Sequence, residues 1–231
     1  AKFEAGVKTS FVNTDNNAIY DSVNYGVRVR DIGRTNHFIY DENVNAAYVN
    51  YSRPLTKKLF GQFGVRLENT NANGNQVTTG EKFKRNYTQL FPTAFLQYKA
   101  SEKHSLVLNY GRRINRPNYE DLNPFIIFLD RYTFEQGNPN LKPQFSHNIE
   151  LTHTFKGFLN TTLNYTRTTD IINDVLEQDP DKNETVIRNQ NIAKQRQYGI
   201  AVSAGGQITK WWSGNIYANV YNNRFEGIIN G

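Results

Sequence analysis

The chain has 231 residues, a net charge of +6 and a pI near 9.4, and it is long enough to bury a sizeable core. It contains no cysteine, which removes disulfides, thiol nucleophiles and Cys-based zinc sites together. No run of roughly 18 apolar residues encodes a transmembrane helix, but a mean hydropathy of −0.68 is compatible with a transmembrane barrel, whose strands turn only alternate residues to lipid.

The predicted elements form a meander. Residues 2–12 alternate Phe3, Ala5, Val7, Thr9 and Phe11 against Lys2, Glu4, Gly6, Lys8 and Ser10, the period of two of a half-buried strand. A long Asn- and Asp-rich connection, 13–36, follows, with a hairpin expected around Asn24 to Arg30. Strands are then predicted over 38–51 and 59–69, joined by a tight Ser52-Arg53-Pro54 turn, with Leu59, Gly61, Phe63, Val65 and Leu67 on one face. After a second long connection, 70–85, come strands 86–99 and 105–114, joined by a tight turn at 100–103. The second of these strands sets Leu106, Leu108 and Tyr110 against Ser105, Asn109 and Gly111.

A loop from Gly111 to Pro143 comes next, its prolines 117, 124, 139 and 143 breaking any continuous helix or central strand. A loop this long is functional or disordered, and its Tyr, Phe and Arg content argues for order. Strands 145–155 and 158–168 follow around Lys156-Gly157. A third excursion, 169–191, holds Asp179-Pro180-Asp181 and a small hairpin of its own. Strands 192–208 and 212–223 then meet at a short turn near Lys210, making about nine main strands.

Each strand is long enough for a tilted crossing of a bilayer, which takes roughly 9 to 11 residues. Short turns at one end and long loops at the other are the asymmetry of outer-membrane barrels. The expected faces are Leu106, Leu108, Tyr110, Leu159, Leu163, Tyr165, Ile200 and Val202 toward lipid, and Asn109, Asn160, Thr162, Asn164 and Ser203 toward the lumen. Tyr51, Phe60, Tyr98, Phe155, Phe158, Trp211 and Trp212 lie beside the short turns, as an aromatic girdle at one membrane interface would.

Several motifs carry a resemblance. Gly111-Arg112-Arg113-Ile114-Asn115-Arg116-Pro117, Leu122-Asn123-Pro124-Phe125 and Gly137-Asn138-Pro139-Asn140-Leu141-Lys142-Pro143 resemble the barrel of Bacteroidetes-type TonB-dependent outer-membrane receptors. So do Phe38-Ile39-Tyr40-Asp41-Glu42 with Ala46-Ala47-Tyr48, the strand Gly64-Val65-Arg66-Leu67-Glu68-Asn69-Thr70, Asn164-Tyr165 and Ile171-Ile172.

The resemblance implies an all-β fold in which residues 1–231 are one segment of a larger antiparallel up-and-down barrel of roughly 22 strands, with periplasmic turns and extracellular loops. The plug and the TonB-contacting region are expected outside it, since the chain opens at Ala1 without Met and ends at Gly231 without a terminal aromatic. It further implies energy-coupled import of a siderophore, cobalamin, glycan or peptide at the cell outer membrane. The implied partners are lipid and lipopolysaccharide, TonB through the N-terminal region, and an extracellular nutrient, with or without a surface lipoprotein. A smaller self-contained barrel or pore, and a soluble β-sandwich that binds glycans, are the rival readings.

On the long loop, Arg113, Arg116, Asn118, Tyr119, Tyr132 and Asn138 combine cationic, amide and aromatic groups suited to a polar ligand; the competing reading is a rigid loop tied to the barrel rim. No enzyme, cofactor or metal is expected. His147 and His153 share a strand face but are too far apart to share a metal, and Asp179, Asp181 and Asn183 begin a calcium-loop spacing that fails at Glu184 and Gln190. Glu120 and Asp121 have Arg112, Arg113 and Arg116 as near counter-charges. The Lys and Arg residues are scattered apart from 82–85 and 28–30, which argues against nucleic acid and for the phosphates of lipopolysaccharide.

Overall fold

The computed structural model describes residues 1–179 and 183–227. Its elements in chain order are β1 (Lys2–Ala18), the hairpin β2–β3 (Asp21–Asn24 and Val27–Arg30), β4 (Asn36–Pro54), β5 (Leu59–Gln76), β6 (Lys82–Lys99) and β7 (His104–Asn115). There follow a 3-10 turn (Glu120–Leu122), a second hairpin β8–β9 (Ile126–Phe128 and Thr133–Gln136), β10 (Gln144–Phe155), β11 (Leu159–Asp179), β12 (Glu184–Thr209) and β13 (Trp212–Gly227). The nine long strands make one antiparallel ladder in the order β1-β4-β5-β6-β7-β10-β11-β12-β13.

The strands outrun the sequence expectation at the long-loop end. Residues 13–18 continue β1 and residues 70–76 continue β5, although Asn, Asp and Gly disfavour strands, because each residue finds a ladder partner: Asn13 opposite Asp41 and Asn75 opposite Ile39. Likewise the excursion at 169–191 is one long hairpin, with β11 and β12 pairing as far as Asp179 and Glu184. Register shifts between Thr168 and Ile172 mark a bulge there, with Asp170 at φ 55°. Pro180-Asp181 lies outside the described residues.

The turns obey local stereochemistry. Lys156 and Gly157, at φ 49° and 75°, close β10 onto β11, as do Tyr25 and Gly26, at 51° and 81°, between β2 and β3. Two successive positive φ values suit the right-handed twist of a two-residue hairpin, and glycine in the second place relieves the strain.

Register sorts the residues by face. Leu96, Leu108, Leu151, Leu163, Ile200 and Val220 form one cross-strand row, with Ala94, Tyr110, Ile149, Tyr165 and Tyr198 in the next. These side chains are half exposed, Leu163 at 50% and Ile200 at 43%, as a lipid-facing wall requires. Asn109, Glu150 and Asn164 align on the other face, as do Asn160 and Ser203. Tyr51, Tyr98, Phe155 and Trp212 carry the girdle on the apolar face, whereas Phe60 turns to the polar face and meets Phe95 edge-on at 6.2 Å.

The buried core lies at the long-loop end of the polar face. Phe38, Tyr40 and Ala72 of β4 and β5 enclose Leu122 and Leu141 of the long loop, with Phe83, Tyr119 and Ile172 packed around them. The loop therefore folds inward over the upper wall, and its hairpin joins the sheet as a parallel neighbour of the β12 extension, Phe134 opposite Val186.

Candidate functional site

The inner wall alternates charge with small and aromatic groups. In β5, Arg66, Glu68, Thr70 and Ala72 point inward while Val65, Leu67 and Asn69 point out. Glu68 and Thr70 are buried at 7% and 1% exposure. A buried carboxylate needs a cationic partner, and Glu68 has Arg66 at 3.3 Å and Arg116 in closer contact. Arg116 also donates to Thr70 Oγ1 at 3.2 Å. Burial of its guanidinium disfavours the charge, but Tyr87 and Glu68 outweigh that cost, and its pKa lies above the ordinary arginine value.

Three further contacts hold the loop down. Arg85 of β6 donates to the carbonyls of Leu141 and Pro139. Gln76, fully buried, donates to Asn36 Oδ1 at 2.6 Å and Asn123 Oδ1 at 2.9 Å. Asn191 of β12 donates to the carbonyls of Lys142 (2.9 Å) and Asp170 (2.8 Å) and accepts from Lys142 N–H (2.7 Å), which clasps the loop to the bulge.

The structure thus divides the six sequence candidates. Arg116 is an anchor. Asn138 is another: its Nδ2 donates to Asn189 O at 3.2 Å and its Oδ1 accepts from Asn140 N at 2.9 Å. Tyr119 packs on Tyr40 with ring centroids 6.4 Å apart and donates to Glu120 at 3.0 Å. Asn118 N–H meets Asp121 Oδ2 at 3.2 Å. Tyr132 stands at the tip of the β8–β9 hairpin, 52% exposed. Arg113 points inward from β7, exposed, with no hydrogen bond or ion pair among the described residues.

The arginines do not serve as counter-charges to Glu120 and Asp121. Arg116 is taken by Glu68, and Asp121 accepts from Asn189 Nδ2 at 3.0 Å instead. Arg112 enters where the β6–β7 ladder ends at Thr93 opposite Gly111: it donates to Leu90 O at 2.7 Å and Gln89 Oε1 at 2.9 Å, and lies 4.5 Å from the Phe145 ring. Beside this split a cavity of about 830 Å³ opens, lined by Tyr48, Asn50, Arg66, Phe91, Arg113 and Glu150 among others. Of these only Arg113 was a sequence candidate. The alternation of Arg66 with Val65 and Leu67 is the signal by which the rest could have been found.

His104 and His153, from neighbouring strands, stack 5.2 Å apart with Nδ1 and Nε2 at 2.9 Å. No third metal ligand joins them among the described residues.

An antiparallel sheet of membrane-spanning strands, apolar outside, polar inside and carrying a loop folded onto its inner wall, defines an outer-membrane β-barrel. The chain belongs to the outer membrane protein beta-barrel family, whose model matches residues 1–230. Solved structures share its fold: the copper transporter OprC at TM-score 0.64 and 12% identity, covering 98% of this chain and 36% of the other. The siderophore receptor PiuA from Acinetobacter baumannii follows at 0.61 and 18% (100% and 36%). The ferripyoverdine receptor of the Pseudomonas aeruginosa outer membrane, bound to ferripyoverdine, gives 0.60 and 14% (96% and 30%). The chain spans about a third of the length of these proteins. No curated protein sequence matches it.

Proposed function

We propose that the chain is the wall-and-loop portion of an outer-membrane receptor that imports a nutrient by energy coupling through TonB. The observation that carries this reading is the inner wall: a polar cavity lined by Arg113, which has no hydrogen bond or ion pair among the described residues, beneath a loop that Arg116 holds in place through Glu68. A passive pore needs no such built-in obstruction of its lumen. A soluble glycan-binding sandwich would bury Leu151, Leu163 and Ile200, which instead stand exposed in a band. Relatives in fold include receptors for iron chelates and a copper transporter, and a siderophore, cobalamin, glycan or peptide remains the substrate class. Arg113 suits the anionic members of that set, since its guanidinium can clasp a carboxylate or phosphate with two parallel bonds.

At the mouth, Ile126, Ile127, Phe128, Leu129 and Tyr132 leave an exposed apolar ridge, a surface fit for a second protein such as a surface lipoprotein. The test is uptake of labelled nutrient candidates by cells carrying the full-length receptor, with and without TonB. Uptake lost without TonB is the expected result; uptake that persists without TonB would make the barrel a passive pore.

A further inference from the structure

We infer that the upper edge of β6 is a strand-addition site for an extended acidic peptide. β6 pairs with β5 from Lys82 to Tyr98, but with β7 only from Thr93 to Lys99. On the β7 side, residues 82–92 therefore have no ladder partner among the described residues. Successive residues of an antiparallel strand turn their N–H and C=O groups to opposite sides. Leu90 O accepts from Arg112 of β7, whereas Tyr87 O accepts from Asn69 of β5 at 3.5 Å, so the even-numbered residues face the gap. Pro92 is the first of them, at the point where the two strands part, and it has no N–H to offer β7. Beyond it, the backbone groups of Lys82, Lys84, Asn86 and Thr88 meet no partner on this side among the described residues.

A cavity of about 530 Å³ lies between this edge and the end of the long loop, lined by Lys84, Arg85 and Asn86 on one side and by Lys142, Phe145 and Asp170 on the other. Arg85 ties the loop to β6 through the carbonyls of Pro139 and Leu141, so the loop backs the gap without pairing with the edge. The gap opens above the apolar band: the outward side chains Lys82, Lys84, Asn86 and Thr88 are polar and exposed, and stand opposite Asn75, Asn73, Asn71 and Asn69 of β5. Backbone and charge together choose the occupant. A row of free N–H and C=O groups over residues 82–88, about 20 Å long at about 3.3 Å per residue, is matched by another extended backbone and not by a phosphate or a sugar. Lys82 and Lys84 on the outer face, with Lys142 across the gap and only Asp170 against them, call for carboxylates on the incoming strand. A second copy of β6 would gather the lysines of both copies on one face, which opposes pairing of two such edges. The inward side chains of the incoming strand meet Phe83 and Tyr87, so the fitting sequence alternates acidic with apolar residues.

The experiment titrates the full-length protein in detergent with a fluorescent peptide of alternating Glu and Val, about seven residues long to match 82–88 at one residue each, and reads anisotropy. Saturable binding is expected. Asn86→Pro deletes a gap-facing N–H and leaves the β5 ladder intact, as Pro92 does, so affinity should fall by roughly tenfold, the worth of one or two hydrogen bonds. Lys84→Glu should lower it by about fivefold through the cross-strand charge. Two further peptides are N-methylated on one or the other alternate set of amides, and only the set that faces β6 should abolish binding. Heat-modifiable migration on gels confirms assembly; should Asn86→Pro fail to assemble, the methylated pair tests the edge on the unaltered protein. The proposal is overturned if the parent shows no saturable binding, or if both methylated peptides bind alike. Displacement by inorganic polyphosphate as readily as by unlabelled peptide would reduce the site to a cationic patch and overturn it too. So would dimers of the parent that Asn86→Pro disperses and the peptide does not, since the edge would then belong to a second copy.

Discussion

Arg113 and Arg116, three residues apart in one motif, have opposite fates because a strand face and a loop place them differently. Arg116 leaves β7 and swings back to Glu68, a carboxylate too buried to stay charged alone. Removing it strands that charge and frees the loop, so Arg116→Ala should cost about 2 kcal/mol or more. Limited proteolysis of the full-length protein should then cut within 117–143, and surface abundance should drop. Arg113→Ala should leave abundance unchanged and weaken ligand capture, read by binding to intact cells. Equal ligand affinity for the Arg113 variant and the parent would remove this residue from the site. Tyr119→Ala belongs with Arg116, since its ring packs on Tyr40 rather than facing the cavity. Asp130, at the β8–β9 tip, is a smaller case: backbone N–H of Tyr132 and the Thr133 hydroxyl hold its carboxyl below the usual range. A depressed pKa stabilises the turn fully above the ordinary Asp value and loses that effect as pH falls through the lower folded value. Amide exchange at Tyr132 and Thr133 should therefore quicken, relative to neighbouring amides, only in strong acid.

At the scale of elements, the long loop is held as much by shape as by charge. A Cβ on Gly137 would lie 2.3 Å from Asn123 O and 2.8 Å from Asp121 O, both rigid backbone. Gly137→Ala should cost about 1–3 kcal/mol and expose the loop to protease as Arg116→Ala does; resistance equal to the parent would show that the turn can shift freely. The sequence made the nine long strands and their faces readable, because alternation of Leu163 with Thr162 and Asn164 is a local signal. It did not reveal where the strands end outside the membrane. Asn-rich segments such as 70–76 read as loop, and only partners some 30 residues away convert them to ladder. The hairpin β8–β9 escaped for the same reason, since its three- and four-residue strands acquire meaning from a parallel pairing with residues 185–187. The loop candidates were legible as chemistry but not as roles: nothing local to Arg116 names Glu68, 48 positions earlier, as its partner.

For the whole molecule, the decisive quantity is the band of exposed apolar side chains and the two sheet margins that flank it. Leu163 sits in the middle of a row running from Leu96 to Val220. Leu163→Arg should destabilise the barrel by about 2–4 kcal/mol, the range for a cation on the lipid face near the bilayer midplane. Reversible unfolding of the full-length protein in vesicles measures this; an arginine tolerated at no cost would place residue 163 away from lipid. The margins matter when the segment is taken alone. β1 pairs only with β4, and β13 only with β12, among the described residues. Phe3, Val7 and Phe11 stand 67%, 86% and 77% exposed on one margin, and Ile216 and Val220 stand 72% and 69% exposed on the other. A long, flat, apolar edge recruits other chains through its unpaired N–H and C=O groups, and here each edge has more than fifteen residues of free ladder. Residues 1–231 produced alone should aggregate in buffer and stay dispersed only in detergent or on an added partner strand. Sedimentation in both conditions checks this. A monodisperse, detergent-free monomer with a cooperative thermal transition would mean that the margins find each other, and the segment would then be a closed barrel in its own right.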